Sequence, residues 1–416
     1  MWRSIVKSSF GPVSGWFGVD RAALSFASPP LCCNGAMPSF YEFFAGGGMA
    51  RAGLGAEWRC LLANDNDARK AASYAANWGA EDFQLAEVQS LNTAHLPGRA
   101  DLAWASFPCQ DLSLAGNQAG LKGARSGTFW AFWRLMLALA KENRAPEVVT
   151  LENVCGALTS HGGEDFAAIG SALAEGGYRF GALVIDAVRF VPQSRPRLFV
   201  VAVREERKIP ERLVGAGPEA LWHPPRLLAA HERLARPAKD AWIWWNLPAP
   251  DPPALSFAAC MEEEPRGVEW HSASETERLL SLMAPRHLDK VEAARRMGRR
   301  VVGAVYRRTR TDQAGRRVQR AEVRFDGVSG CLRTPAGGSS RQTILVAEAG
   351  RVRSRLLSAR EAARLMGLPD SYKLPESYNE AYHLAGDGVV VPVVRFLAEH
   401  LLEPLAGVRK PLNAVA

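Results

Sequence analysis

The sequence lacks the features that mark several classes of protein. It has no uninterrupted apolar run of the roughly 18 residues that a membrane-spanning helix needs, because arginine or glutamate breaks its longest apolar stretches. Its seven cysteines form no CxxC pair and no Cys/His spacing suited to zinc, and a disulfide framework is not expected in a chain of 416 residues. With 47% hydrophobic and 23% charged residues, the composition excludes a disordered, collagenous or coiled-coil protein. We therefore expect a globular protein of a reducing compartment, with no membrane segment and no metal.

Positive charge is confined to one part of the chain. The net charge is +8, yet residues 286–320 hold twelve Lys or Arg against three Asp or Glu, a local +9 that leaves the rest near −1. Such a segment favours contact with a polyanion. A solvated basic face is the alternative.

The chain divides into four predicted segments. Residues 1–36 lack periodicity and form an N-terminal extension, expected to be disordered or a mild targeting tail. Residues 37–204 alternate short apolar runs with helix-length stretches, which predicts a doubly wound α/β domain with a parallel sheet. Residues 205–330 are rich in proline and tryptophan and predict a smaller irregular domain, and residues 331–416 return to the first domain. In that last part Ser358 and Glu361 have the spacing of a helix capping box.

A glycine-rich turn follows the first predicted strand, at residues 40–45. Phe44-Ala45-Gly46-Gly47-Gly48 stands between this strand and a helix, where a backbone can approach a nucleotide-like ligand closely. A tight turn alone would also need glycine. The next strand ends in Asp65, placed to accept hydrogen bonds from ribose hydroxyls, and Asp67 is the expected N-cap of the following helix.

Two further strand ends carry reactive side chains. Cys109 follows the strand predicted at residues 101–105, in a Pro-Cys-Gln loop at the carboxyl edge of the sheet, and is a candidate nucleophile rather than a buried thiol. Glu152 follows the strand at 148–151, where partial desolvation would raise its pKa and suit it to donate a proton. Both can converge on one substrate.

A third group lies before the last predicted strand of this domain, at residues 198–203. In an extended segment Gln193, Arg195 and Arg197 would point the same way and present planar donors to a phosphate or a base carbonyl. A solvated strand edge is the alternative.

Taken in order, these blocks resemble the DNA (cytosine-5) methyltransferase family. The resemblance rests on FAGGG, NDND, PCQ, ENV and QSRPR, then AREAARLMGLPDSY and GDGVVVPVV, and covers most of residues 40–203 and 324–402. It implies a Rossmann-like domain that binds S-adenosylmethionine and a target-recognition domain at 205–330. It also implies methyl transfer to C5 of a flipped-out cytosine in a specific short sequence of double-stranded DNA, through a covalent Cys109 adduct at C6. The chain departs from the family at Glu42, Asn66 and Asp387.

The resemblance assigns roles residue by residue. Cys109, Glu152 and Arg197 would be catalytic. The S-adenosylmethionine contacts would be Phe44, Ala45, Gly46, Gly48, Asp65, Asn66, Glu87 and Pro108. The DNA contacts would be Gln110, Ser113, Arg125, Gln193, Arg195, Arg307, Arg308, Arg310, Ser340 and Arg341. No metal ligand is expected.

The architecture is typical of a bacterial enzyme. We expect a monomer in the cytoplasm that acts on the chromosome, with a cognate restriction endonuclease as a potential partner. A catalytically silent DNA-binding paralogue and an RNA cytosine-5 methyltransferase are the alternatives. The basic middle segment favours duplex DNA over RNA.

Overall fold

The computed structural model describes residues 37–108, 127–253, 255–311, 315–334 and 341–407. A seven-stranded sheet in the order β3-β2-β1-β4-β5-β7-β6 forms the first domain. Its strands are β1 (Ser39–Phe43), β2 (Arg59–Asp65), β3 (Phe83–Leu85), β4 (Leu102–Ala105), β5 (Val148–Val154), β6 (Tyr178–Asp186) and β7 (Pro196–Arg204). The expected doubly wound α/β fold is confirmed.

The sheet is mixed, whereas we expected it to be parallel. Strand β7 runs antiparallel to both of its neighbours, β5 and β6. The reason is the short connection from β6 to β7, since a few residues can form a hairpin but cannot carry the crossover that parallel strands need.

Helices cover both faces of this sheet because alternate strand residues are apolar on opposite sides. Phe40, Leu102 and Trp104 belong to one buried cluster, while Tyr41 and Phe43 belong to another. The helices are α1 (Met49–Leu54), α2 (Ala68–Trp78), α3 (Thr128–Lys141), α4 (Glu164–Glu175), α5 (Pro225–Glu232), α6 (Arg236–Asp240), α7 (Ala273–Ser281), α8 (Pro285–Arg296), α9 (Ala359–Leu365), α10 (Tyr378–Asp387), α11 (Val391–Leu397) and α12 (Glu403–Ala406), with a π-helical turn at Ala398–Leu402.

A second sheet lies in the region that we expected to be irregular. It is antiparallel, in the order β11-β10-β8-β9, and α7 and α8 pack on it around Leu279, Val291 and Leu345. Its strands are β8 (Val301–Thr311), β9 (Arg317–Arg324), β10 (Thr343–Glu348) and β11 (Arg351–Leu356). Two of these strands, β10 and β11, lie beyond residue 330, within the segment that we expected to return to the first domain.

The proline- and tryptophan-rich stretch also differs from the prediction, because much of it covers the first domain. The Phe180 N–H of β6 donates to the Ala241 carbonyl at 2.9 Å, and the Ile243 N–H donates to the Phe180 carbonyl at 2.6 Å. Trp222 and Trp245 are buried in the cluster that holds Phe40. Residues 213–247 therefore protect an edge strand that would otherwise offer unpaired backbone groups.

A buried ion pair joins the second sheet to helix α9. Arg355 of β11 donates to both carboxylate oxygens of Glu361 in α9, at 2.7 and 2.6 Å, and neither side chain is exposed. Glu361 also accepts the Ser358 N–H at 2.8 Å, so the expected capping box is present. Removing one partner would leave a buried charge uncompensated, so this pair holds the second sheet in a fixed orientation on α9.

Two kinds of feature are absent from the described residues, a membrane-spanning helix and a metal-binding cluster. No described helix has the length and apolarity to cross a bilayer. No described cluster of His, Cys, Asp and Glu is arranged to hold a metal ion.

Candidate active site

A cavity of about 410 Å³ opens at the carboxyl edge of the first sheet, and we call it the sheet-edge cavity. Open α/β sheets place their ligands at this edge. Its lining residues lie at or beyond the ends of β1, β2, β4 and β5, at the start of β7, or in the C-terminal part. They include Phe44, Ala45, Gly46, Gly47, Asp65, Asn66, Ser106, Pro108, Glu152, Arg195, Arg197, Arg333, Thr334, Asp387 and Gly388.

Asp65 holds the glycine-rich turn at one end of this cavity. Its Oδ2 accepts the Gly46 N–H at 2.9 Å, and its Oδ1 accepts the Asp67 N–H at 3.0 Å. Asp67 in turn caps α2 by accepting the Arg69 N–H at 2.8 Å, as predicted. Asp65 therefore both lines the cavity and fixes the backbone beside it.

Gly48 does not line the cavity, contrary to the expectation that it contacts a ligand. It has a φ of 79°, and a Cβ built on it would lie 2.3 Å from Trp78 Nε1. The same indole N–H donates to the Gly47 carbonyl at 3.0 Å, and the Tyr372 hydroxyl donates to that carbonyl at 2.7 Å. Gly48 is thus required for the close packing behind the turn.

Gly48→Ala is expected to destabilise the protein more than Gly46→Ala does. Both positions have positive φ, which costs an alanine about 1–2 kcal/mol. At Gly46 no atom lies within 4 Å of the added Cβ, whereas at Gly48 the clash with Trp78 adds about 1–3 kcal/mol. The midpoint of urea unfolding, measured without ligand, gives the difference. Equal midpoints for the two variants would contradict the packing role.

Asn66 and Glu87 lie together, although they are far apart in the sequence. The Asn66 Nδ2 donates to the Glu87 Oε1 at 2.9 Å, and the Asp65 carbonyl accepts the Ala86 N–H at 3.1 Å. Asn66 lines the cavity, whereas Glu87 is not among its lining residues. The structure therefore brings these two predicted residues to the same side of the site.

Glu42 is a cavity residue that the sequence analysis noted only as a departure from the family. It lies on β1 and is buried, and its Oε2 has no hydrogen-bond partner among the described residues. Burial raises the pKa of this carboxyl to about 8, although Arg51 acts in the opposite direction. A buried oxygen without a partner is costly unless a ligand satisfies it.

An ion pair in the cavity wall was also missed. Lys70 of α2 lies 3.0 Å from the Asp387 Oδ2, and the Thr334 hydroxyl donates to the other oxygen of this carboxylate. One signal was available, because a lysine in the first turn of a helix opposes the helix dipole and calls for a nearby carboxylate. Nothing in the sequence identified Asp387 as that carboxylate.

Glu152 and Arg197 form the other end of the cavity. They lie on the paired strands β5 and β7, and the Arg197 Nε is 3.3 Å from the Glu152 Oε1. Burial raises the pKa of Glu152, while Arg197, Arg195 and a hydrogen bond from Ser106 oppose the shift. The carboxyl group keeps a proton to higher pH than a surface glutamate does.

The chain approaches Cys109 along the cavity wall. The Asn153 Nδ2 donates to the Phe107 carbonyl at 3.0 Å, and the Trp104 Nε1 donates to the Ser106 hydroxyl at 2.9 Å. Pro108 lines the cavity. Cys109 itself and the predicted contacts Gln110, Ser113, Arg125 and Ser340 lie outside the described residues.

We expected Gln193 and Arg195 to contact DNA, but both side chains are engaged inside the protein and are not available to DNA. The Gln193 Nε2 donates to the Leu365 carbonyl at 2.8 Å, and Arg195 donates to the Leu332, Gly386 and Gly388 carbonyls at 2.7 to 2.8 Å. Both side chains are buried. They bind the C-terminal part to the first domain, because the segment before β7 faces the interior rather than an open edge.

The basic segment forms part of a second cavity, of about 670 Å³, between the second sheet and the first domain. We call it the basic cleft, since its cationic lining residues are Lys290, Arg307, Arg308, Arg324, Arg333 and Arg341. Arg308 and Arg310 pair with Glu322 on β9 at 3.5 and 2.5 Å, and Arg341 lies 5.5 Å from the ring centroid of Tyr378. Arg307 has no ion-pair partner among the described residues.

Comparisons with known proteins agree with this geometry. The family model for C-5 cytosine-specific DNA methylase matches residues 39–403. The type II methyltransferase M.HhaI of Haemophilus parahaemolyticus is 25% identical over 366 residues, which cover 87% of this chain and 93% of the relative. M.NlaX of Neisseria lactamica, also a type II methyltransferase, is 26% identical over 371 residues, 88% of this chain and 97% of the relative.

The fold comparison points the same way. The crystal structure of the S. pombe Dnmt2 methyltransferase matches with a TM-score of 0.53 at 16% identity, over 88% of this chain and 99% of that chain. The family match spans both sheets, the sheet-edge cavity and the basic cleft. The chain therefore belongs to the C-5 cytosine-specific DNA methylase family and is a DNA (cytosine-5) methyltransferase.

Proposed function

We propose that this enzyme methylates C5 of a cytosine flipped out of one short sequence of double-stranded DNA, with Cys109 as nucleophile and Glu152 as acid. The observation that carries the proposal is the buried Glu152–Arg197 pair in the sheet-edge cavity, with Pro108 in the same wall. A cytosine inside a duplex cannot reach such a cavity, so the base must leave the stack.

The cavity fits S-adenosylmethionine, on which the family depends. Its volume of about 410 Å³ is in the range of small-molecule sites. The Glu42 oxygen that has no partner among the described residues offers a hydrogen-bonding position to a polar group of the ligand. When bound, S-adenosylmethionine supplies an electrophilic methyl group. The residues that would hold it are Glu42, Phe44, Ala45, Gly46, Asp65 and Asn66, with Lys70 and Asp387 at the cavity wall.

The protein groups would act in order on the cytosine. The Cys109 thiolate forms a bond to C6, and the electron pair displaced from the C5–C6 bond moves towards N3, where Glu152 delivers its proton. C5 is then nucleophilic and takes the methyl group. Water would then take the C5 proton, and the electron pair of that C–H bond would re-form the C5–C6 double bond as the S–C6 bond breaks. N3 would return its proton to Glu152, so that the thiolate and the acid are restored and 5-methylcytosine is released. Arg197 holds the Glu152 carboxyl in place throughout.

DNA would lie in the basic cleft, with the second sheet as the main part of the target-recognition region. The cleft lies beside the sheet-edge cavity and carries six cationic side chains, which match the phosphates of a duplex. Recognition of one sequence would depend on side chains that face base edges from this region.

Arg307→Gln is expected to weaken DNA binding about equally on all sequences. It should also lower the slope of log K against log salt concentration by about one unit, since an arginine of the cleft that pairs with no described acid would contact one phosphate. Arg295 is a matched control, because it belongs to the same basic segment but pairs with Glu292 on α8 at 2.8 Å. Binding isotherms at several salt concentrations measure both slopes. An unchanged slope for Arg307→Gln would place the duplex elsewhere.

The biological setting forms part of the proposal. The relatives named above are type II methyltransferases of bacteria, which supports a bacterial enzyme that acts on the chromosome in the cytoplasm. We propose that it acts as a monomer. A cognate restriction endonuclease would then recognise the same sequence.

The experiment that tests this function is methylation sequencing of DNA from cells that express the enzyme, beside the Cys109→Ala variant. The expected result is 5-methylcytosine in one short motif with the wild type and none with the variant. No methylation of DNA by either protein would refute the proposal. Methylated RNA or DNA binding without turnover would then support one of the two alternatives.

A further inference from the structure

One arginine lies where the two cavities meet. Among the described residues, the sheet-edge cavity and the basic cleft have a single lining residue in common, Arg333. A nucleotide that leaves a duplex in the cleft and enters the cavity must pass this side chain. This step rests on the proposed function.

The backbone around Arg333 is held on both sides. The Leu332 N–H donates to the Gln193 Oε1 at 3.0 Å, and the Leu332 carbonyl accepts from Arg195 at 2.7 Å. On the other side, the Thr334 hydroxyl is hydrogen-bonded to Asp387. The position of Arg333 is therefore fixed by anchors in the first domain.

The Arg333 side chain is exposed, and it has no hydrogen-bond or ion-pair partner in the part of the chain that the structure describes. The guanidinium groups of the other two described arginines in the sheet-edge cavity are already engaged, because Arg195 donates to three backbone carbonyls and Arg197 pairs with Glu152. Arg333 therefore has a fixed backbone at the junction of the two cavities, and its guanidinium donors are not engaged by the described residues.

We infer that Arg333 binds a phosphate next to the flipped cytosine and holds the nucleotide in its extrahelical position. When a nucleotide flips, its base enters the sheet-edge cavity, while its sugar and phosphates stay at the entrance. The planar donors of arginine suit phosphate oxygens. The edge of the base would contact Glu152 and Arg197 deeper in the sheet-edge cavity. The part of the nucleotide that Arg333 can contact is therefore its phosphate.

The test uses duplexes that contain the motif found by methylation sequencing, with a neutral methylphosphonate at one position at a time around the target cytosine. Affinity and methyl transfer are measured for the wild type, Arg333→Gln and Arg307→Gln. With the wild type, one flanking methylphosphonate is expected to weaken binding by about tenfold or more, the value of a charge-assisted hydrogen bond.

Arg333→Gln is expected to show a similar loss on unmodified DNA and no further loss with that methylphosphonate, because the same contact is already absent. Arg307→Gln is the control, and its loss should add to that of the methylphosphonate. Arg333→Lys, which keeps the charge, should recover part of the affinity.

Additive losses for Arg333→Gln at every flanking position would overturn the inference, and so would unchanged affinity and turnover in that variant. If the wild type does not methylate the unmodified duplex, the proposed function itself fails. The two failures are therefore distinguishable.

Discussion

Cys109→Ala is expected to abolish methyl transfer while leaving DNA binding intact. C5 of cytosine is a poor nucleophile until a group adds at C6, and alanine has no atom that can make this bond. The described thiol next to Glu152 and Asn153 in the chain is Cys155, which is buried, and burial raises its pKa, so it cannot replace Cys109. The rate of methyl transfer should therefore fall to the background rate.

Two measurements separate this outcome from misfolding. A duplex with 5-fluorocytosine at the target position should trap the wild-type enzyme covalently, because fluorine cannot leave C5 as a proton does. The variant should form no such complex on a denaturing gel, yet should bind the same duplex in solution. Cys155→Ala serves as the control and should still form the adduct. Turnover by Cys109→Ala would refute the nucleophile assignment.

Glu152→Gln is expected to lower the rate of methyl transfer by about 10²- to 10⁴-fold, the usual contribution of a positioned acid. The amide can donate a hydrogen bond to N3 but cannot give up a proton there. Arg197 lies 3.3 Å from the present carboxylate and would keep a partner in the amide oxygen, so the variant should fold normally.

The pH dependence gives a sharper test of Glu152. Because burial raises its pKa, the carboxyl stays protonated to higher pH and loses its proton as the pH rises through that value. The rate of the wild type should therefore decline on the alkaline side of this pKa once the rise from thiolate formation is accounted for. In Glu152→Gln that decline should disappear, since no proton is lost there. If the rate declined equally at high pH in both enzymes, the group that loses its proton would not be Glu152.

The local elements of the site were predictable because their signals are short-range. Asp67 caps α2, and Ser358 and Glu361 form their capping box, since both patterns need only three or four neighbouring residues. The carboxyl edge of the sheet follows from the order of the strands, and this placed Asp65 and Glu152 in one cavity.

Other features depended on contacts between distant parts of the chain. Gln193 and Arg195 alternate as they would on an exposed strand, and only the packing of the C-terminal part shows that they are buried. Lys70 and Asp387 form one ion pair from opposite ends of the sequence. The strand β10 pairs with β8, which brings a strand from beyond residue 330 into the second sheet.

By itself, the sequence determined the family and the doubly wound α/β class and predicted the reactive residues, because residue type, spacing and apolar periodicity are properties of neighbouring positions. Only the tertiary structure showed which arginines donate to backbone carbonyls and which have no partner among the described residues. It also showed that Arg333 lies between the two cavities. The reason is that burial and charge pairing depend on which distant segments pack together, and a linear pattern does not contain that information.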